Sequence, residues 1–136
     1  MATTADLTIE QGATFIQPLI FQRLTNPTLP YNASTNPYIA LDLTDCVVRM
    51  MVRADYDSTQ FVLSLSSVGT GIVITNAAAG LAEIRVTPAM TTWTGTTGVR
   101  VKGESFEGVY DIEVDDGLTV ARAFSGACTI TREVTR

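Results

Sequence analysis

The sequence predicts an all-β domain, a single antiparallel β-sandwich of about eight short strands. Three observations lead there. Apolar residues recur with period two in segment after segment, the spacing that gives a strand one buried and one wet face. Threonine fills about one position in six or seven, and a β-branched side chain suits a pleated surface. Glycine and Asp-Gly signals break the alternation at short intervals, as turns between short strands require. The chain has 136 residues, so one domain spanning 1–136 is expected, with enough buried surface to fold without disulfide or metal.

Taken in order, the first candidates are Asp6 to Glu10 and Ala13 to Gln22, separated at Gly12. In Cys46 to Arg53, one face carries Cys46, Val48, Met50 and Val52 and the other carries Arg49 and Arg53. Gln60 to Ser66 and Ile72 to Thr75 follow, with Gly69, Gly71 and Gly80 as punctuation. In Leu81 to Thr87, Ala82, Ile84 and Val86 face inward and Glu83 and Arg85 outward. Pro88 to Trp93 is the one segment with a helical look, its proline at a permitted first position. Val109 to Asp115 turns Tyr110, Ile112 and Val114 inward, and Asp115-Asp116-Gly117 then predicts a tight hairpin. Leu118 to Thr135 reads as one strand bent at a bulge on Gly126, or two strands with a corner there.

Two connections exceed turn length. The 23–39 stretch contains Asn26-Pro27, Leu29-Pro30 and Asn36-Pro37, which predicts an irregular excursion of polyproline character. The 94–107 stretch contains Gly95, Gly98 and Gly103 around Val99-Arg-Val-Lys102. Long loops in a compact domain are commonly functional. If every connection reverses the chain, both long loops lie at one end of the sandwich together with 67–71. The turns at 55–59, 76–80 and 115–117 then lie at the other.

Composition argues against catalysis. There is no histidine, one lysine (Lys102) and a net charge of −5, which removes the side chain that titrates near neutrality and the commonest metal ligand. The acidic balance also argues against nucleic acid, which calls for clustered Lys and Arg. Asp55-Tyr-Asp57 starts like a calcium loop, but Gln60 and Ser66 stand where glycine and glutamate belong. Asp42 and Asp45 read as turn residues. Gly103-Glu-Ser105 has no histidine base to serve it, and Gly69-Thr-Gly71 lacks the lysine and spacing of a phosphate loop. No enzyme activity, cofactor or metal is therefore expected. No stretch approaches a membrane helix and the first residues lack a secretory pattern. Cys46 and Cys128 read as two free thiols of a chain folded in a cytosol, with no Cys-x-x-Cys to pair them.

Binding is the better prospect. Tyr31 and Tyr38 bracket the Asn32–Pro37 stretch, as exposed contact residues or as loop packing. Trp93 is either an interface anchor or a plug closing the sandwich. Val99, Arg100, Val101 and Lys102 alternate as on an exposed ribbon, which is either a solvated hairpin or a strand that adds to a neighbour's sheet edge.

The order of these segments resembles a known group. Asp6-Leu-Thr-Ile-Glu-Gln-Gly-Ala-Thr-Phe15, Ala40-Leu-Asp-Leu-Thr-Asp45 and Gly80-Leu-Ala-Glu-Ile-Arg-Val-Thr-Pro88 come first. Gly108-Val-Tyr-Asp-Ile-Glu-Val-Asp-Asp-Gly117, Arg122, Gly126 and Thr131-Arg-Glu-Val-Thr-Arg136 complete it. This is similar to small immunoglobulin-like β-sandwich domains in virions of tailed bacteriophages, among them the N-terminal domain of upper baseplate proteins. The pattern is one of turns and alternation over nearly the whole chain, and the long 23–39 and 94–107 connections depart from it. The resemblance implies a non-enzymatic virion protein, assembled in the host cytoplasm as a tail or baseplate adaptor. Its partners would be other phage virion proteins in a symmetric multi-copy array, with neither nucleic acid nor membrane among them. A free-standing subunit is expected, because no coiled coil or receptor-binding extension follows the sandwich. The alternatives are a capsid decoration protein and a carbohydrate- or receptor-binding module.

Overall fold

The computed structural model describes residues 3–59, 61–91 and 105–131, and these form an all-β protein. The strands are β1 (Thr3–Thr4), β2 (Leu7–Glu10), β3 (Phe15–Ile20), β4 (Gln22–Leu24), β5 (Tyr38–Ala40) and β6 (Val47–Arg53). They continue with β7 (Phe61–Ser66), β8 (Ile72–Asn76), β9 (Leu81–Val86), β10 (Phe106–Asp115) and β11 (Val120–Thr131), and α1 (Pro88–Thr91) follows β9. The larger sheet has the order β1-β11-β10-β6-β7, with β2 also on β11; a second sheet has the order β3-β9-β8; β4 and β5 pair by themselves.

The alternation read from the sequence is the alternation of burial. Val48, Met50 and Val52 of β6, Tyr110, Ile112 and Val114 of β10, and Ala82, Ile84 and Val86 of β9 are all buried. With Ile9, Leu63, Leu65, Ile72, Cys128 and Ile130 they form one core shared by the two larger sheets. Cys46 and Cys128 are both free thiols, Cys128 buried and Cys46 half-buried. Burying apolar area is the main term that holds such sheets together, at about 25 cal/mol per Å².

Among the described residues, eleven strands stand where about eight were expected. The Asp6–Glu10 segment is preceded by a separate short strand, β1; both lie parallel on the same edge of β11, at Thr3↔Phe124 and at Leu7↔Cys128. The Ala13–Gln22 segment divides, β3 ending at Ile20 and β4 beginning at Gln22. The 23–39 excursion is a small antiparallel hairpin, not a polyproline stretch: Gln22 pairs with Ala40 and Leu24 with Tyr38.

The bulge in β11 is also displaced from its expected place. Pairing with β10 runs without a break through Gly126, and the register shifts between Ile112 and Glu113, which skips Ala123. Gly126 answers a different demand. At φ 157° it lies against the chain crossing from β1 to β2, and a Cβ there would sit 2.0 Å from the Ala5 carbonyl oxygen.

The expected placement of the loops is overturned by strand directions. β3 and β9 are antiparallel, so the connections that leave them, 23–39 and the one after α1, depart from opposite ends of that pair. β6 and β10 are antiparallel too, with Val47 beside Asp115 and Arg53 beside Val109. The 55–59 and 115–117 turns therefore lie at opposite ends of the larger sheet. One step explains both discrepancies. At 67–71 the chain passes from one sheet to the other through a corner whose bridge, Ser66 with Gly71, is parallel. That corner does not reverse the chain, so every later strand runs opposite to the assumption. The two ends are thus composed differently. At one, the 22–40 hairpin leaves next to the 76–80 turn, since Phe21 N–H donates to Gly80 O and Leu43 N–H to Ala77 O. The 42–45 turn, the start of β6 and the 115–117 turn lie with them. At the other, Gly12 N–H donates to Thr91 Oγ1 at 2.8 Å, near the end of β11 and the start of β10.

Candidate functional site

The 22–40 hairpin is a braced arm. Its hub is Asn36, 2 % exposed. The Asn36 Nδ2 donates to the carbonyls of Asn26, Leu29 and Pro30 at 2.9–3.0 Å. Its Oδ1 accepts the Asn26 N–H at 2.7 Å. Two lesser turns hang on this hub. Asn26 Oδ1 accepts from Thr28 N and Oγ1, and Asn32 Oδ1 accepts from Ser34 and Thr35 N. Prolines supply no N–H, so a Pro-rich loop leaves carbonyls that need donors from elsewhere. One buried carboxamide provides them.

The arm presents aromatic surface. Tyr31 and Tyr38 are 54 % and 48 % exposed, and their rings stack at a centroid distance of 4.9 Å and an angle of 19°. Tyr38 also borders a cleft of about 240 Å³ with Thr3, Ile20, Phe21, Gln22, Leu41, Ala123 and Phe124. Phe21 and Phe124 meet edge to face at 5.2 Å below it. Sites for small organic ligands usually offer roughly 300–1,000 Å³, so this cleft suits one or two inserted side chains better than a whole ligand.

Of the sequence candidates, Tyr31 and Tyr38 are brought together, exposed and stacked on each other. Trp93, Val99, Arg100, Val101 and Lys102 lie outside the described residues. The acidic pairs form turns. Asp42 accepts from Thr44 N and Oγ1, Asp55 from Asp57 N, Asp115 from Gly117 N, and Asp116 from Leu118 N and Thr119 N. These bonds to the charged form hold the carboxyls of Asp42, Asp115 and Asp116 below their ordinary value. For Asp115 the guanidinium of Arg49, at 3.1 Å, adds to the effect. Burial pushes the Cys46 thiol up, and the carboxylates of Asp116, Asp42, Asp45 and Asp115 around it push the same way. No group of three or more His, Cys, Asp or Glu able to hold a metal occurs among the described residues.

Two features escaped the sequence reading. Asn36 looked like a loop residue, and nothing in Asn36-Pro37 announces a buried hub. Leu118 looked like the first residue of a strand, yet it stands 94 % exposed on the 115–119 turn, and Val68 is 77 % exposed on the corner after β7. The Asp-Asp-Gly-Leu order was the available signal, because a leucine directly after a tight turn has no core to enter. No protein-family model matches the chain, and no curated protein matches it.

Proposed function

We propose that this chain is a non-enzymatic structural subunit of a tailed-bacteriophage virion, an immunoglobulin-like β-sandwich acting as an adaptor or connector in the tail or baseplate. It would assemble with other virion proteins in a symmetric multi-copy array. The observation that carries the reading is the arm: a hydrogen-bonded projection that holds two exposed tyrosines beside a cleft sized for a side chain. Bracing of this kind lowers the ordering cost of binding, because the contact residues are already in place. Tyrosines on a rigid support are common anchors of protein interfaces. Array symmetry would multiply a modest contact into a stable assembly.

The test is quantitative mass spectrometry of purified particles of the phage that encodes the chain, joined to a Tyr31→Ala, Tyr38→Ala variant. The reading expects a fixed copy ratio to known tail proteins and reduced incorporation of the variant. A chain missing from particles, monomeric in solution and bound to glycans in a tyrosine-dependent way would overturn it.

A further inference from the structure

We propose that the end of the larger sheet carrying the β10–β11 turn docks onto a surface of a second protein where lysine and arginine side chains lie between apolar hollows, with Leu118 and Val68 as the inserted groups. This deepens the structural-subunit reading and rests on it. The register sets out the surface. Val120 pairs with Asp115, Asp115 with Val47, and Ser67 N–H donates to the neighbouring Val48 carbonyl. Adjacent strands lie about 4.8 Å apart, so the row from β11 to β7 spans roughly 15 Å.

Both ends of the row are apolar and exposed. Leu118 is 94 %, Val120 55 % and Val68 77 % exposed. Single exposed aliphatic residues are ordinary on a protein surface; three on one sheet end, two at the tips of turns and one at the start of β11, form a pattern. The turns that carry them are held in shape. Asp116 Oδ1 binds the N–H groups of Leu118 and Thr119 at 2.8 and 2.7 Å, and Ser66 Oγ binds Val68 N–H at 3.2 Å. The leucine is thus presented on a fixed turn.

Between the apolar tips lie carboxylates. Asp115 and Asp116 close the hairpin, and Asp42 and Asp45 occupy the turn that leads into Cys46 and β6. Among the described residues, Asp115 is the one of these four that has an arginine, Arg49. Apolar knobs with acids between them complement apolar hollows with bases between them. The same charge disfavours a two-fold pair of this face with itself, which would set aspartates against aspartates.

The test places p-benzoylphenylalanine at position 118 of the full chain, and separately at position 57 on the opposite end. Assembled particles are then irradiated and the cross-linked peptides identified. The expected product joins position 118 to a second protein, within an apolar segment flanked by Lys or Arg, and position 57 does not reach that segment. Leu118→Ser with Val68→Ser, both exposed and checked for fold by circular dichroism, should enter particles about tenfold less well. Three outcomes overturn the inference while leaving the subunit reading intact, provided the chain is in the particles. They are no cross-link from position 118, a cross-link only to another copy of this chain, and a cross-link to an acidic segment. A chain absent from particles overturns both.

Discussion

Single residues decide how the arm and the core behave. Asn36 is the clearest case, because one side chain shares its two N–H donors among three carbonyls and accepts one N–H of a proline-rich loop. Leaving buried groups unpaired costs about 1–3 kcal/mol, and here the loss falls on the arm, away from the core. Asn36→Ala is therefore expected to speed amide exchange and proteolysis within 23–39 about tenfold or more, with the melting of the body little changed. An arm that stays as protected as in the parent protein would contradict the hub assignment. Tyr110 and Cys128 give a second test. Tyr110 is buried and donates its hydroxyl to Ala5 O at 2.6 Å, joining β10 to the link between β1 and β2. Burial, with smaller contributions from Cys128, Asp6 and Tyr56, pushes its pKa up to about 12, and burial alone pushes the Cys128 thiol up to about 12. Both groups are neutral while protonated, and both ordinary values, 10.0 and 9.0, lie below the folded ones. The folded chain thus keeps protons that the unfolded chain releases. Stability is complete below about pH 9 and declines as the pH rises toward 12. Urea midpoints at pH 8, 10 and 11 check this, and a midpoint that does not fall with pH would contradict it.

At the scale of elements, what was legible in the sequence was the inward face of three central strands, β6, β9 and β10. Val48–Met50–Val52, Ala82–Ile84–Val86 and Tyr110–Ile112–Val114 could be assigned because a period of two is a local property, fixed by the pleat whatever the strand pairs with. What could not be read were the properties that depend on a distant partner. Gly126 was recognised as special, but its reason is the Ala5 backbone 121 positions earlier in the chain, and the bulge itself falls at Ala123, an unremarkable residue. The direction of the chain after 67–71 was missed because Ser-Val-Gly-Thr-Gly fits a reversing hairpin and a sheet-changing corner equally well. Of the candidate site, Tyr31 and Tyr38 were legible as aromatics in a long loop, whereas their stacking depends on the β4–β5 pairing. Edge strands carry a prediction of their own. β3 is an edge of its sheet, and Phe21 N–H points toward β9 by donating to Gly80 O. By alternation, position 18 then faces outward, where its missing N–H blunts the edge. Ile16 and Ile20, 56 % and 60 % exposed, flank it. Pro18→Val restores a donor to an apolar edge, so light scattering should show more self-association than the parent at equal concentration. Unchanged behaviour would mean that the edge is protected in another way.

For the whole molecule, the correction to the loop placement changes where function is sought. The 22–40 arm does not share its end with α1 and the start of β10. It shares it with the 42–45, 76–80 and 115–117 turns, so the stacked tyrosines, the cleft and Leu118 all belong to one end. The other end carries the 55–59 turn and the junction of Gly12 with Thr91. This division suits a subunit that meets neighbours through one built end on a rigid all-β body. For the virion subunit we propose, cryo-electron microscopy of the assembled particle is the decisive measurement. The account predicts density of a neighbouring protein packed against Tyr31, Tyr38 and Leu118, repeated by the symmetry of the tail or baseplate. A particle in which the chain occupies its place with that end open to solvent, and its contacts made through the 55–59 end, would contradict it.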